Sequence, residues 1–260
     1  MTFQLLISSL NSEPENLIKT MNVKSDAVVI NQCDKDDETA LCIDGHNIKV
    51  LSRNERGVGL SRNLAIDNST ADILLFSDED IVYTDGYEEA VLEAFESKKD
   101  ASVLTFNFDV DERRRTYYNT DSHQITWKNY GRYPAYAIAV RRKDIIDNGI
   151  RYSTLFGGGA KYSNGEDSLF LHDCLKKGLL MYSETALLGQ ETYRESTWFK
   201  GYSEKFFFDR GVLYHFLYGK AASVFGLRFL LKNKSTMLKE ISLIKAFSLL
   251  RKGIKEGKTL

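Results

Sequence analysis

The chain has 260 residues, 43% of them hydrophobic and 12% aromatic, which is enough apolar side chain for a full core and too much for a disordered chain. A formal net charge of −1 hides an asymmetry, because residues 220–260 carry ten Lys or Arg against only Glu240 and Glu256. Cys33, Cys42 and Cys174 form no CxxC pair and no even set, so no disulfide framework is implied and a reducing, cytoplasmic setting is expected.

The first apolar run, Phe3 to Ile7, lacks a basic flank, is too short for a signal peptide and reads as a strand. Ser12-Glu13-Pro14-Glu15 reads as a capping box with proline near the first helical position, followed by Leu17, Ile18 and Met21 at helical spacing. Ala27 to Ile30, Ile48 to Leu51 and Ile73 to Phe76 are further buried-strand runs separated by polar or helix-like stretches. That alternation argues for βαβ units and an α/β fold on a mainly parallel sheet. Helices are expected from Leu60 to Ile66 and from Tyr87 to Lys98, the second with Ala90, Val91, Ala94 and Phe95 on one face. Ala101 to Phe108 and Tyr136 to Val140 read as strands, with a loose polar and aromatic segment, Asp109 to Tyr133, between them. Gly157-Gly158-Gly159 leads to Asn164-Gly165-Glu166-Asp167 and a helix through Leu169, Phe170, Cys174 and Leu175, stopped by Gly178. The expected division is an α/β domain over 1–195 and a helical, basic extension over 196–260.

Three constellations fall at expected strand ends or helix starts, where α/β sheets bind ligands. The run at Ile73 ends in Asp78-Glu79-Asp80. If the extended geometry continues, Asp78 and Asp80 point one way and Glu79 the other. Converging carboxylates need a cation or a proton between them, and a divalent metal carrying a phosphorylated ligand suits them; a solvated acidic turn is the competing reading. Arg53-Asn54-Glu55-Arg56-Gly57-Val58-Gly59-Leu60-Ser61-Arg62-Asn63 combines glycines with a helix start that favours anions, but it lacks the third glycine of a dinucleotide fingerprint. Glu166-Asp167 opens a helix behind flexible glycines, either as charge complementary to the helix dipole or as a proton acceptor at a pocket rim.

Other residue types carry less. His46, His123, His172 and His215 have no zinc spacing, and Ser8, Ser9 and Ser61 sit in no GxSxG elbow. Arg113-Arg114-Arg115 beside Tyr117, Tyr118 and Trp127 reads as a solvated charge run or an acceptor contact. Trp198-Phe199 and Phe206-Phe207-Phe208 read as core or lid.

Taken in order, Asn31-Gln32-Cys33-Asp34, Arg53-Asn54-x-x-Gly57-x-x-x-x-Arg62-Asn63, Ser77-Asp78-Glu79-Asp80-Ile81 and Gly165-Glu166-Asp167 resemble a family 2 glycosyltransferase of the GT-A fold over residues 3 to 190. The resemblance implies a metal-dependent, inverting transfer of a sugar from a nucleotide-diphosphate donor. It makes Asp167 the catalytic base and Glu166 its orienting neighbour. Asp78, Glu79 and Asp80 would supply metal and ribose contacts to Mn2+ or Mg2+, with either Glu79 or Asp80 as the second ligand. Arg53, Arg62 and Asn63 would lie near the nucleotide, and Ser8, Asn11 and Asp34 would line the base and ribose pocket. Ser8-Ser9-Leu10-Asn11 stands where the family often has Pro-x-Tyr-Asn, and Asn31-Gln32 where it often has Asp-Asp.

The expected acceptor is a glycan or lipid-linked saccharide in surface polysaccharide synthesis, with no nucleic-acid partner. Residues 211–260, apolar and basic, pack on the core, on a second copy as a homodimer, or on the cytoplasmic face of an anionic membrane. Two other functions stay open: a sugar-nucleotide nucleotidyltransferase, and a non-enzymatic module for anionic lipid or nucleic acid.

Overall fold

The computed structural model describes residues 1–192 and 201–260; the expected boundary near 195 and the pair Trp198-Phe199 lie outside the described residues. In chain order the elements are β1 (Phe3–Leu10), α1 (Pro14–Thr20), β2 (Ala27–Gln32), β3 (Asp37–Ile43), β4 (His46–Arg53), α2 (Val58–Asn68), β5 (Ile73–Asp78), β6 (Ile81–Tyr83) and α3 (Tyr87–Ser97). They continue with β7 (Val103–Asp109), β8 (Ile138–Arg141), α4 (Arg142–Asp147), α5 (Glu166–Lys176), β9 (Met181–Glu191), α6 (Glu204–Tyr218), α7 (Ala222–Lys232), α8 (Lys234–Met237) and α9 (Leu243–Gly257).

The strands form one sheet in the order β3-β4-β2-β1-β5-β8-β7-β9-β6. Its centre, β4-β2-β1-β5, is parallel, which brings the carboxyl ends of four strands to one edge: Ser8 lies opposite Asp78, Leu10 opposite Gln32, and Gln32 opposite Arg53. Of these, β2 and β5 are buried on both faces, as their apolar runs required. Leu5, Ile7, Val29 and Leu75 pack with Leu17 and Ile18 of α1 and Val91 and Phe95 of α3 on one side. Leu6, Val28, Ile30, Leu74 and Phe76 pack with Ala65 and Ile66 of α2 and Phe170 of α5 on the other. Burying each such aliphatic or aromatic side chain contributes roughly 1.5–3 kcal/mol.

Several expectations change in detail. Helix α1 is capped by Glu13, whose carboxylate accepts from Asn16 N at 2.9 Å, and not by Ser12. The Ser12 hydroxyl is drawn away to the Glu79 carboxylate at 2.8 Å, a charge-assisted bond. Residues 37–43, expected to be polar or helix-like, form the edge strand β3, joined to β4 through Asp44 and Gly45, both at positive φ. No face of β3 is buried, so it carries no apolar alternation, and only the Asp-Gly turn marks it. The run at Tyr136 begins as a 3₁₀ turn over 135–137 before β8. β6 and β9 pair antiparallel where no strand was expected. The triplet is not extended throughout: β5 ends at Asp78, so the alternation does not reach Asp80.

The long apolar stretch of 211–231 is broken at Gly219, and among the described residues no helix is long and apolar enough to cross a membrane. Helices α6 and α9 cross closely at glycines: a Cβ on Gly211 would lie 2.0 Å from Leu250 O, and one on Gly253 would lie 2.0 Å from Phe208 O. Phe206, Phe207, Val212, Leu213, Leu250 and Ile254 share a hydrophobic cluster with Phe156, Tyr162 and Leu169, so these helices are built onto the segment around α5.

Candidate functional site

Helix α2 sends Arg62 under the carboxyl edge of the sheet, where the residue is only 3% exposed. Its Nη2 donates to Asp78 Oδ1 at 2.9 Å, and its Nη1 donates to Glu166 Oε1 at 3.1 Å and to Asp167 Oδ1 at 3.2 Å. The end of β5 and the start of α5 therefore face one another across a single guanidinium. The guanidinium also stacks over the Tyr152 ring at 5.1 Å. Arg62 Nε and the Tyr152 hydroxyl are buried without a hydrogen-bond partner.

The chain around this cleft is held by glycines at two demanding positions. Gly57 precedes α2 at φ 140° and is clamped by Gln32, whose side-chain amide donates to Gly57 O at 3.1 Å and accepts from Gly57 N at 3.2 Å. Val58 N donates to Gly158 O at 2.8 Å, which fastens the glycine loop to the start of α2. Within that loop Gly157 has φ +103°, and a Cβ there would lie 2.8 Å from the Glu166 carboxyl carbon. The loop is thus shaped to let Glu166 close on Arg62.

Three carboxylates meet one guanidinium, so the site carries excess negative charge. Burial pushes the Asp167 carboxyl well above the usual carboxylate range, and the Glu166 and Asp78 charges add to this while Arg62 opposes it. A quarter of the Asp167 side chain still meets solvent, so a proton has a route to it. Arg62 is held well above its ordinary pKa: burial works against its charge, and Asp78 and Asp167 outweigh that cost. The arrangement offers a desolvated, partly accessible carboxylate with an affinity for protons greater than that of an ordinary aspartate.

The expected donor residues divide into two groups. The Ser8 side chain, opposite Asp78, accepts a hydrogen bond from the Ser61 hydroxyl at 2.8 Å, and Asn11, at φ 50°, donates its backbone N–H to Gln32 O, so both stand at the carboxyl edge. Asp34 is almost wholly exposed and ion-pairs with Arg56 at 3.5 Å. Arg53 turns away, pairing with Glu38 of β3, and Asn63 clamps the Tyr152 backbone with bonds of 2.9 and 2.8 Å. Within the triplet, Asp78 faces Arg62, whereas Glu79 Oε2 accepts from Leu10 N at 2.9 Å and from Ser12 Oγ, which ties the β1–α1 loop to the end of β5. The Asp80 backbone carbonyl accepts from Thr192 N at 2.7 Å. Among the described residues no three His, Cys, Asp or Glu side chains form a ready metal cage. A hard divalent ion on a diphosphate needs only one or two carboxylates, so the oxygen donors of the triplet suit such an ion once phosphate oxygens complete it.

The sequence gives no sign of Tyr152, of the clamp that Gln32 makes on Gly57, or of the ion pair Glu191–Arg114. Glu191 and Arg114 meet at 2.8 Å, and burial raises the Glu191 carboxyl, with Arg114 opposing and Asp78 adding to the shift. Arg114 was readable only as part of a charge run, because its partner lies on β9, far along the chain. His172 is a packing residue: its ring lies 5.2 Å from that of Trp127 and its Nε2 lies 3.1 Å from Leu217 O.

A central parallel sheet with carboxylates gathered at its carboxyl edge, extended by antiparallel strands and faced by an acidic helix start, is the GT-A fold of sugar transferases. Residues 12–156 match the family model described as glycosyl transferase family 2, and the chain belongs to that family. It is a glycosyltransferase. No curated protein sequence matches it. Among solved structures, S. aureus TarS 1-349 in complex with UDP-GlcNAc has a TM-score of 0.62 at 16% identity, covering 92% of this chain and 74% of that one. S. aureus TarS 1-349 has a TM-score of 0.61 at 16% identity, covering 98% of this chain and 82% of that one. At such identity the likeness concerns the fold.

Proposed function

We propose that the protein transfers a sugar, with inversion, from a nucleotide-diphosphate donor to a hydroxyl of a glycan or lipid-linked saccharide, with Asp167 as the base. The observation that carries this reading is the single Arg62 guanidinium bonded to Asp78 at the sheet edge and to Asp167 at the start of α5. Donor chemistry and proton removal then share one cleft. In-line displacement at the anomeric carbon needs the acceptor oxygen on the face opposite the leaving diphosphate, and a single carboxylate suffices to take its proton. Asp167 meets that need, because burial and Glu166 give it a raised affinity for the proton it must accept.

The nucleotide would lie along the carboxyl edge near Ser8, Asn11 and Asp34. Asp78 and Asp80 are the proposed holders of Mn2+ or Mg2+, with Glu79 bracing the neighbouring loop through Leu10 and Ser12. Such an ion would supply charge stabilisation of the departing diphosphate. UDP-GlcNAc is the first donor to test, since TarS, which shares the fold, was crystallised with it.

The exposed faces of α7 and α9 fit peripheral contact with an anionic membrane. Val224, Leu231 and Ile244 are 71%, 54% and 84% exposed, and Ile244 lines a groove of about 740 Å³ together with Arg251, Lys252, Lys255 and Lys258. Apolar side chains rimmed by cations match lipid headgroups and tails. Sedimentation with anionic vesicles at low salt, and its loss with neutral ones, is the expected outcome. Binding to neither vesicle, or a concentration-dependent dimer formed through this face, overturns it.

Calorimetry with UDP-, GDP-, TDP- and CMP-sugars, each with and without Mn2+, tests the transferase reading. One donor should bind, and bind more tightly with the metal; binding of none under either condition refutes it.

A further inference from the structure

Helix α6 carries a cation, Arg210, that no carboxylate of the described residues pairs with. Arg210 is held between two aromatic rings, 5.3 Å above Phe206 and 5.2 Å from Phe229 of α7. Its Nε is buried without a hydrogen-bond partner, and among the described residues no carboxylate pairs with it. The adjacent acid is committed elsewhere: Asp209 accepts from Ser163 N at 3.0 Å and pairs with Lys205 at 2.5 Å. Burial lowers the Arg210 pKa, opposed only by the nearby phenols of Tyr214, Tyr218 and Tyr202. A half-buried guanidinium with its Nε out of contact with water is costly to hold, and cation–π contact returns only part of the cost. An oxyanion would return the rest with charge-assisted, bidentate hydrogen bonds.

The cation stands close to the chemistry. Three residues on, the Leu213 side chain lies where a Cβ on Gly165 would be, 2.4 Å away, and Gly165 caps the helix that opens with Glu166 and Asp167. A largely buried aromatic cluster lies behind the two places. Tyr214 lies 5.8 Å from Phe229 and 5.1 Å from Tyr218; burial raises the hydroxyl pKa of Tyr130, and the Tyr218 and Tyr214 phenols add to it. Gly131, the next residue, lies against Ser168, the neighbour of Asp167. Half-exposed Trp127 stands 5.9 Å from Tyr130 and offers a face on which a sugar ring can stack.

We propose that Arg210 binds a phosphate group carried by the acceptor, so that the substrate is a phosphate-bearing glycan or saccharide whose hydroxyl reaches Asp167. The assignment of this anion to the acceptor rests on the transferase reading; anion binding itself does not. Phosphate has oxygens enough for the guanidinium fork and for the phenols around it, whereas a carboxylate has two.

The test is calorimetric titration of inorganic phosphate, and separately of acetate, into the wild-type chain, Arg210→Lys and Arg210→Met at constant ionic strength, with UDP and Mn2+ titrated in parallel. Phosphate should bind the wild type, about tenfold or more weakly when Arg210 becomes Met, and with intermediate strength for Lys. Absence of phosphate binding, equal binding by all three chains, or phosphate that UDP displaces overturns the proposal, and acetate binding as tightly as phosphate overturns the choice of phosphate. Should the Met variant fail to fold, the comparison of Lys with wild type decides, because Lys keeps the charge and loses the fork. UDP binding without phosphate binding rejects this site and leaves the transferase reading standing; the reverse result does the opposite.

Discussion

Asp78 Oδ1 and Asp167 Oδ1 accept hydrogen bonds from the two terminal nitrogens of Arg62, at 2.9 and 3.2 Å, although the two acids come from a strand end and a helix start far apart in the chain. The guanidinium thus fixes the spacing between the edge where a donor diphosphate would sit and the carboxylate that would take a proton. Most of what the site is expected to do depends on that spacing.

Asp167→Asn should lower sugar transfer by about 10² to 10⁴-fold while leaving UDP affinity near that of the wild type. Steady-state transfer assays paired with calorimetry check both. Full turnover by this variant would remove Asp167 from the role of base.

The pH dependence follows from the sign of the Asp167 shift. Its carboxyl is raised, so the base becomes competent only above the ordinary aspartate range, and the acid limb of kcat/KM should lie higher than an unperturbed aspartate would place it. Glu166→Gln removes a like charge, favours ionised Asp167 and should move that limb to lower pH. The same shift disfavours the folded state once Asp167 is ionised. Asp167→Asn should therefore be more stable than the wild type at about pH 7, the gain vanishing below about pH 4 where the carboxyl is protonated in both folded and unfolded chains. Thermal melts across pH provide the measurement, and a gain that grows on acidification would contradict it.

Arg62→Met should be severely destabilising, because Asp78, Glu166 and Asp167 would be left crowded with no cation. Removing one partner from a buried ion cluster costs about 3–5 kcal/mol. Urea unfolding should show the largest loss near neutral pH and partial recovery in acid, as the crowded carboxyls take up protons. A loss independent of pH would point to packing against Tyr152 instead.

Gly157→Ala should act on both backbone and carboxylate. The residue sits at φ +103°, and the added methyl would lie 2.8 Å from the Glu166 carboxyl carbon. The backbone strain costs about 1–3 kcal/mol, and displacement of Glu166 should lower kcat more than it alters donor affinity. A variant with wild-type kcat would show that the Glu166 position does not matter.

The central strands were readable because short apolar runs alternate with helix-patterned stretches, and in β2 and β5 the run is buried on both faces. Strand β3 was not, since it buries neither face, and β9 was not, since its pairing with β6 and β7 is decided by residues far away in the chain. In the site, Asp78, Glu166 and Asp167 could be picked out as acids at element ends. Arg62 could be noted as a basic residue near a helix start, but nothing local says that it ends beneath three carboxylates. Tyr152 and Glu191 carried no signal at all, because each acquires its meaning from a partner on another element. Arg53 shows the converse: its neighbours in sequence suggest the nucleotide, and its partner in space is Glu38.

The contact between Gly211 and the Leu250 carbonyl has a reach beyond the two helices that make it. Two residues past Gly211, Leu213 props up Gly165, and Gly165 begins the turn that aims Glu166 and Asp167. The carboxy-terminal helix is therefore the outermost strut of a scaffold whose inner end is the reactive carboxylate. A bulky residue introduced at Gly253, remote from every acid in the cleft, would loosen the aim of the base while leaving each catalytic side chain in the chain.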